Sequence, residues 1–185
     1  MRPALPAAFF IISMETSRLY LKPIAPEDAG FLLRLMNTDK WHLNIGDRKV
    51  YTEKDALKYM QDRMDPDLSK KGFVNHVMIQ KETGNAVGTC SLHDREGVEG
   101  MDIGYALLPS YEGYGYAQEG AKAMINLAFN SYNQSFINAI TTDQNVGSCR
   151  ILEKLGFTHQ GYIRLPDNPE NIKLYTLRKN QWKSD

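Results

Sequence analysis

The stretch from Ile103 to Met124 constrains this chain most, because it reads as a strand, a glycine-rich loop and a helix in immediate succession. Ile103 to Leu108 has strand character, and Pro109-Ser110-Tyr111-Glu112-Gly113-Tyr114-Gly115 forms the loop. Beyond it, Ala117, Ala121, Met124, Ile125 and Ala128 recur with the period of one helix face. Gly113 and Gly115 let the backbone curl and approach a ligand with no Cβ in the way. The first N–H groups of such a helix lack intrahelical acceptors and stand at the positive end of its dipole, which suits an anion such as phosphate. The loop is not a P-loop, because no Gly-Lys-Ser/Thr follows. Nor is it a G-x-G-x-x-G fingerprint, because Gln118 takes the third glycine's place. On the glycines alone, a plain tight turn between strand and helix is an equal reading.

A second block, Asn145-Val146-Gly147-Ser148-Cys149-Arg150-Ile151-Leu152-Glu153-Lys154-Leu155-Gly156-Phe157, follows in order. The run Gly104-Tyr105-Ala106-Leu107, then Glu112-Gly113-Tyr114-Gly115-Tyr116-Ala117-Gln118-Glu119-Gly120, resembles the acetyl-CoA motif of the GNAT superfamily of N-acetyltransferases. The second block is similar to that family's N-x-x-S … K-x-G-F segment. The match spans about residues 15 to 182 and is nearest to the branch that acetylates ribosomal-protein N-termini. The resemblance implies an α+β GNAT fold, with a mixed, largely antiparallel central sheet, a splayed strand pair and helices on both faces. It also implies acetyl-CoA as cofactor and direct transfer of the acetyl group to an amine. That acceptor is a protein N-terminus, a polyamine, an amino-sugar antibiotic or another small amine.

The same resemblance assigns the site. The N–H groups of Glu112, Gly113, Tyr114, Gly115, Tyr116 and Ala117 would take the pyrophosphate. Where the family carries Gln or Arg ahead of the glycines this chain has Ser110, and Glu112 must turn its carboxylate away from phosphate. The backbone of Tyr105, Ala106, Leu107 and Leu108, on a strand that carries a bulge in the family, would pair with the pantetheine arm, while the leucine side chains join the core. Asn145 matches a contact to the CoA arm and reads equally well as a helix N-cap. Much of the family donates a proton from a Tyr at the position of Leu152, which has no proton to give. Ser148, at the Ser of N-x-x-S, is therefore the expected acid and stands near the cofactor's sulfur; its bland role is a first-turn hydroxyl. His93, with Asp94 beside it, is the leading candidate base, ahead of Glu82; a lone His is more often structural. Trp41, His42 and Tyr51 are expected to line the acceptor cleft, or else to pack a loop onto the core.

The acceptor's pKa bears on how much help is needed. An α-amine is neutral roughly one time in ten at pH 7, whereas a lysine amine is neutral only about once in a few thousand. An enzyme for α-amines can thus work with a weakly placed base. Two rival readings stand beside this one. One is a non-catalytic acyl-CoA-binding regulatory module, kept alive by Leu152 and Ser110. The other is a nucleotide-binding protein, weakened by the lack of a phosphate lysine.

At 185 residues the chain reads as one domain over 14–185 behind an N-terminal extension, 1–13, whose apolar run Ala7 to Ile12 is too short to span a bilayer. With 22 basic and 22 acidic residues, no nucleic-acid or membrane partner is expected. Cys90 and Cys149 are expected as reduced thiols in the cytoplasm, and Cys149 as a small packed residue rather than a nucleophile. The four histidines lack metal-ligand spacing, so no metal is expected. Homodimers are frequent among the relatives that the resemblance implies.

Elements elsewhere follow from pattern. A first strand is predicted over Arg18 to Ile24, and a helix from Pro26 with Ala29, Leu32, Leu33 and Met36 as its buried stripe. A second helix opens at Thr52, is buried through Leu57, Met60 and Met64, and stops at Asp65-Pro66-Asp67. Trp41 to Tyr51 shows no period. Phe73 to Gln80 and Ala86 to His93 form a hairpin. Further strands are predicted at Met101 to Leu108, Ser135 to Thr142, Thr158 to Leu165 and Ile172 to Arg178, with a helix over 146–155 closed by Gly156.

Overall fold

The computed structural model describes residues 13–64, 75–166 and 168–183. Residues 1–12, the stop at Asp65-Pro66-Asp67 and the start of the hairpin at Phe73 lie outside the described residues. Eight strands make one sheet: β1 (Met14–Glu15), β2 (Leu19–Pro23), β3 (His76–Gln80), β4 (Ala86–His93), β5 (Asp102–Leu107), β6 (Phe136–Thr141), β7 (Thr158–Leu165) and β8 (Asn168–Arg178). Their order is β1-β2-β3-β4-β5-β6-β8-β7. Every neighbouring pair is antiparallel except β5 and β6, which are parallel.

Alternation along the strands sends side chains to two faces. Leu19, Leu21, Cys90, Leu92, Ile103 and Ile137 lie in the large core with Ala121, Met124 and Ile125 of α4 (Tyr116–Asn126) and Cys149 and Leu152 of α5 (Val146–Lys154). On the opposite face, Val77, Ile79, Ala86, Ala106 and Leu108 pack with Phe31 and Leu35 of α1 (Ala29–Met36). Helices therefore cover both faces of a mixed, mainly antiparallel sheet.

The α1 stripe is wider than its sequence period suggests. Ala29, Leu32 and Met36 meet Ala56 and Met60 of the α3 region (α3, Glu53–Tyr59), while Phe31 and Leu35 meet the sheet. Leu33 is only half-buried, because it lies at the outer margin of the Ala29, Leu32 and Met36 face, on the side away from Phe31 and Leu35. In α3, Ala56 is buried and Leu57 is exposed. Thr52 caps it as read, its hydroxyl accepting from Asp55 N–H at 3.1 Å while Asp55 accepts from Thr52 N–H at 2.9 Å. The patternless stretch hides a short helix, α2 (Asp39–Asn44), capped by Thr38. It buries no residue, so it has no apolar stripe to read.

The bulge expected on the strand before the loop is not there: β4 and β5 pair without interruption from His93↔Asp102 to Gly88↔Leu107. The register shift falls instead between β3 and β4, where Met78 faces Gly88 and Ile79 faces Ala86. Val87 and Cys90, three residues apart, both enter the large core, and only an extra residue in the strand puts them on one face. Gly88 has no alternative, since a Cβ there would lie 2.2 Å from the Ala106 carbonyl oxygen.

The expected splay is found at β5 and β6. One pair, Asp102↔Asn138, joins them, with Asn138 N–H donating to Met101 O at 2.8 Å. Beyond that pair the two strands part.

Candidate active site

The ladder's phase decides which backbone groups face the gap. Leu108 N–H donates to Val87 O at 2.9 Å, so the alternate residues Asp102, Gly104, Ala106 and Leu108 turn their amides to β4. The N–H and C=O of Ile103, Tyr105 and Leu107 turn the other way. With β6 diverging after Asp102, the backbone of Tyr105 and Leu107 forms an open strand edge. Of the four residues expected to pair with an extended ligand, these two face the gap, and Ala106 and Leu108 are committed to β4.

This edge leads straight into the loop. A short 3₁₀ turn, Pro109–Tyr111, carries the exposed Ser110. Gly113 and Gly115 hold φ of 83° and 84°, a region that a side chain strains, and nothing lies within 4 Å of where a Gly113 Cβ would be. The first helical bond of α4 runs from Glu119 N–H to Gly115 O at 3.0 Å, so the N–H groups of Tyr116, Ala117 and Gln118 precede the ladder. Glu112 is engaged by the Lys40 ammonium of α2, which neutralises the one acid inside the loop. An open strand edge that runs into an anion-binding turn fits a ligand with an amide-bearing arm and a pyrophosphate, as acetyl-CoA has.

At the start of α5, Asn145 Oδ1 accepts from Ser148 N–H at 3.1 Å, so the capping role of Asn145 is realised. The Ser148 and Tyr105 hydroxyls lie 3.1 Å apart, joining α5 to β5. Burial pushes the Tyr105 phenol up to about 12, against the smaller opposing pull of its bond to Ser148, so it is protonated at neutral pH. Sequence reasoning counted Tyr105 for its backbone alone, because 43 residues separate it from Ser148. Leu152 is a core side chain, 1% exposed. The hydroxyl beside Ser148 thus comes from the strand and not from the helix.

His93 is not brought to Ser148. It pairs across the ladder with Asp102, an odd number of residues from Tyr105, and so projects from the opposite face. Its Nε2 lies 2.7 Å from Ser91 Oγ, and Gly104 leaves room for the ring. Asp94 follows at the strand end and Glu82 is exposed in the hairpin turn. Trp41 packs against both the α1–α3 cluster and the cluster holding Ala106 and Leu108, on the His93 face. Its buried indole N–H has no partner among the described residues. His42 and Tyr51 are exposed. The Tyr51 hydroxyl donates to Asp47 at 2.5 Å, and that bond holds the Asp47 carboxyl below its usual value. Cys90 and Cys149 are free and buried. Among the described residues no three His, Cys, Asp or Glu side chains are grouped to hold a metal, and no helix is long and apolar enough to cross a membrane.

Comparison with known proteins agrees with this fold. Residues 18–158 match the acetyltransferase (GNAT) domain family. The uncharacterized N-acetyltransferase p20 of Bacillus licheniformis is 30% identical over 178 residues, covering 92% of this chain and 98% of that protein. The ribosomal-protein-S5-alanine acetyltransferase from Vibrio fischeri shares the fold with a TM-score of 0.74 at 20% identity, covering 94% of this chain and all of that one. A ribosomal L7/L12 alpha-N-protein acetyltransferase in complex with coenzyme A does so with a TM-score of 0.73 at 17% identity, covering 88% of this chain and 95% of that chain. The chain belongs to the GNAT acetyltransferase family. It is an N-acetyltransferase, and its acyl donor is acetyl-CoA.

Proposed function

We propose that this chain acetylates the α-amine of a protein N-terminus or of a small amine, in the gap between β5 and β6, with Ser148 as the proton donor to the leaving sulfur. The observation that carries the reading is the pair of hydroxyls, Ser148 and Tyr105, beside the open strand edge. Acetyl-CoA, when bound, supplies a thioester whose carbonyl the amine attacks. The amides of Tyr105 and Leu107 orient the arm, and the turn from Glu112 to Ala117 holds the pyrophosphate. With the Tyr105 O–H as donor to Ser148 Oγ, Ser148 passes its proton to the sulfur as the C–S bond breaks and takes the Tyr105 proton in its place, and the phenolate regains a proton from solvent. His93 and Trp41, on the opposite face, serve the acceptor, where His93 takes the proton that the amine sheds. Trp41 forms the inner wall of the acceptor cleft, and His42 and Tyr51 its rim. The domain comprises residues 14–185 behind the extension 1–13, and it works in the cytoplasm with both thiols reduced.

An α-amine acceptor is favoured because His93, the base of this reading, projects from the other face than the hydroxyl pair, and an α-amine needs only a weakly placed base. Two of the structural neighbours are named for ribosomal-protein acceptors, which adds support for a protein N-terminus. Thiol release from acetyl-CoA, followed with peptides, polyamines and aminoglycosides, tests the reading. Turnover is expected with free N-terminal peptides and is lost when the same peptide is N-terminally blocked but keeps an internal lysine. Undiminished turnover on the blocked peptide contradicts an α-amine acceptor.

A further inference from the structure

Arg18, just before β2, reaches across to the glycine loop. Its Nη1–H donates to the Tyr114 carbonyl at 2.9 Å, and its Nε and Nη2 both reach Glu119 Oε2 at 2.7 Å. The guanidinium stands 4.7 Å from the centroid of the Tyr116 ring. Glu119, in the first turn of α4, also accepts from the Thr16 hydroxyl at 2.6 Å, the Ser17 hydroxyl at 3.1 Å and Arg18 N–H at 2.8 Å. Burial alone raises the Glu119 pKa, but these donors outweigh it and the carboxyl stays below its usual value. An ionised carboxylate at the entrance to an anion site opposes phosphate, and here Arg18 neutralises it.

The bond to Tyr114 has a second consequence. A trans peptide points its C=O and N–H in opposite directions, and the chain has no cis peptide among the described residues. With the Tyr114 oxygen pinned to Arg18, the Gly115 N–H must point away from Arg18. Glycine at a φ of 84° adopts other backbone states easily, so the residue type does not hold this peptide by itself. Nor does the loop carry a cation of its own: Ser110 is neutral and Glu112 is acidic.

We propose that Arg18 is a positioning residue for the acyl donor: by pinning the Tyr114 carbonyl it aims the Gly115 N–H at the pyrophosphate of acetyl-CoA, and it shields that group from Glu119. The inference rests on the reading of this loop as the pyrophosphate cradle. Lysine at this position keeps a positive charge beside Glu119 but lacks the planar fork that spans carboxylate and carbonyl together.

The test uses the full chain and the Arg18→Lys variant, with calorimetry on acetyl-CoA, melting without ligand, and the NMR signal of the Gly115 amide. The variant is expected to melt like the wild type and to bind acetyl-CoA about tenfold more weakly, the loss of one charge-assisted hydrogen bond. In the wild type the Gly115 amide shifts when acetyl-CoA binds, and in the variant its ligand-free position already differs. Equal affinity in the two proteins overturns the role of Arg18 while a shifting Gly115 leaves the cradle intact. A melting point that falls in step with affinity also overturns it, in favour of a purely structural pair. A wild-type Gly115 amide that acetyl-CoA does not move overturns the cradle, and this inference with it.

Discussion

Asp102→Ala is expected to lower the stability of the folded chain by about 3 kcal/mol, the lower end of what breaking a buried ion pair costs. The carboxylate is fully buried, and Arg95 approaches it with Nε at 3.3 Å from both oxygens and Nη2 at 3.1 Å from one. Alanine leaves the Arg95 guanidinium without this partner next to the core, and the partial exposure of Arg95 keeps the loss from being larger. Asp102 is also the residue that pairs with Asn138 at the apex of the gap. Asn138 is tied in turn to Glu99 O at 2.7 Å and to the Thr176 hydroxyl at 2.6 Å, so the apex is braced from β5, β8 and the loop between β4 and β5. Urea unfolding of the two proteins measures the difference. A loss below about 1 kcal/mol, the range of an exposed pair, contradicts a structural role for the apex.

Gly115→Val is expected to weaken acetyl-CoA binding by up to about a hundredfold while the fold persists. A β-branched residue at a φ of 84° is a severe outlier, and holding such a backbone costs about 1–3 kcal/mol. The Cβ would also stand 3.4 Å from Arg18 Nη2, tight against the guanidinium. The loop relieves that strain by turning the Tyr114–Gly115 peptide, which redirects the N–H offered to phosphate. Calorimetry with acetyl-CoA, beside a melting curve without it, reads the two effects apart. Retained affinity in a folded variant refutes the cradle.

The legible part of this chain is the part in which local chemistry and tertiary role coincide. Gly113, Gly115 and the apolar run from Ala117 to Ala128 announce the loop and helix because positive φ and a buried face leave marks on neighbouring residues. Asn145, Thr52 and Gly156 were readable for the same reason, since caps act over three or four residues. What escaped depends on partners far along the chain. The Tyr105–Ser148 contact, the hold of Arg18 on Tyr114 and the pair of Lys40 with Glu112 each join separate elements. The bulge was misplaced because it answers the need of Val87 and Cys90 to share one core, which alternation within a single strand does not reveal. Helix α2 was missed because, apart from the partly buried Trp41, it has no apolar stripe to read. His93 looked well placed from its strand, yet strand parity puts it across the sheet from Ser148.

In the proposed reaction, the Ser148 and Tyr105 hydroxyls beside the open strand edge complete acetyl transfer. The most direct measurement is the rate of thiol release at saturating acetyl-CoA for the wild type, Ser148→Ala and Tyr105→Phe, with acetyl-CoA affinity measured alongside. Ser148→Ala is expected to lose more than about tenfold in rate, or over ~1.4 kcal/mol of barrier, with affinity unchanged. Tyr105→Phe falls in the same direction, because Ser148 loses the donor that sets its proton toward the sulfur. A Ser148→Ala enzyme that turns over at the wild-type rate contradicts Ser148 as the proton donor.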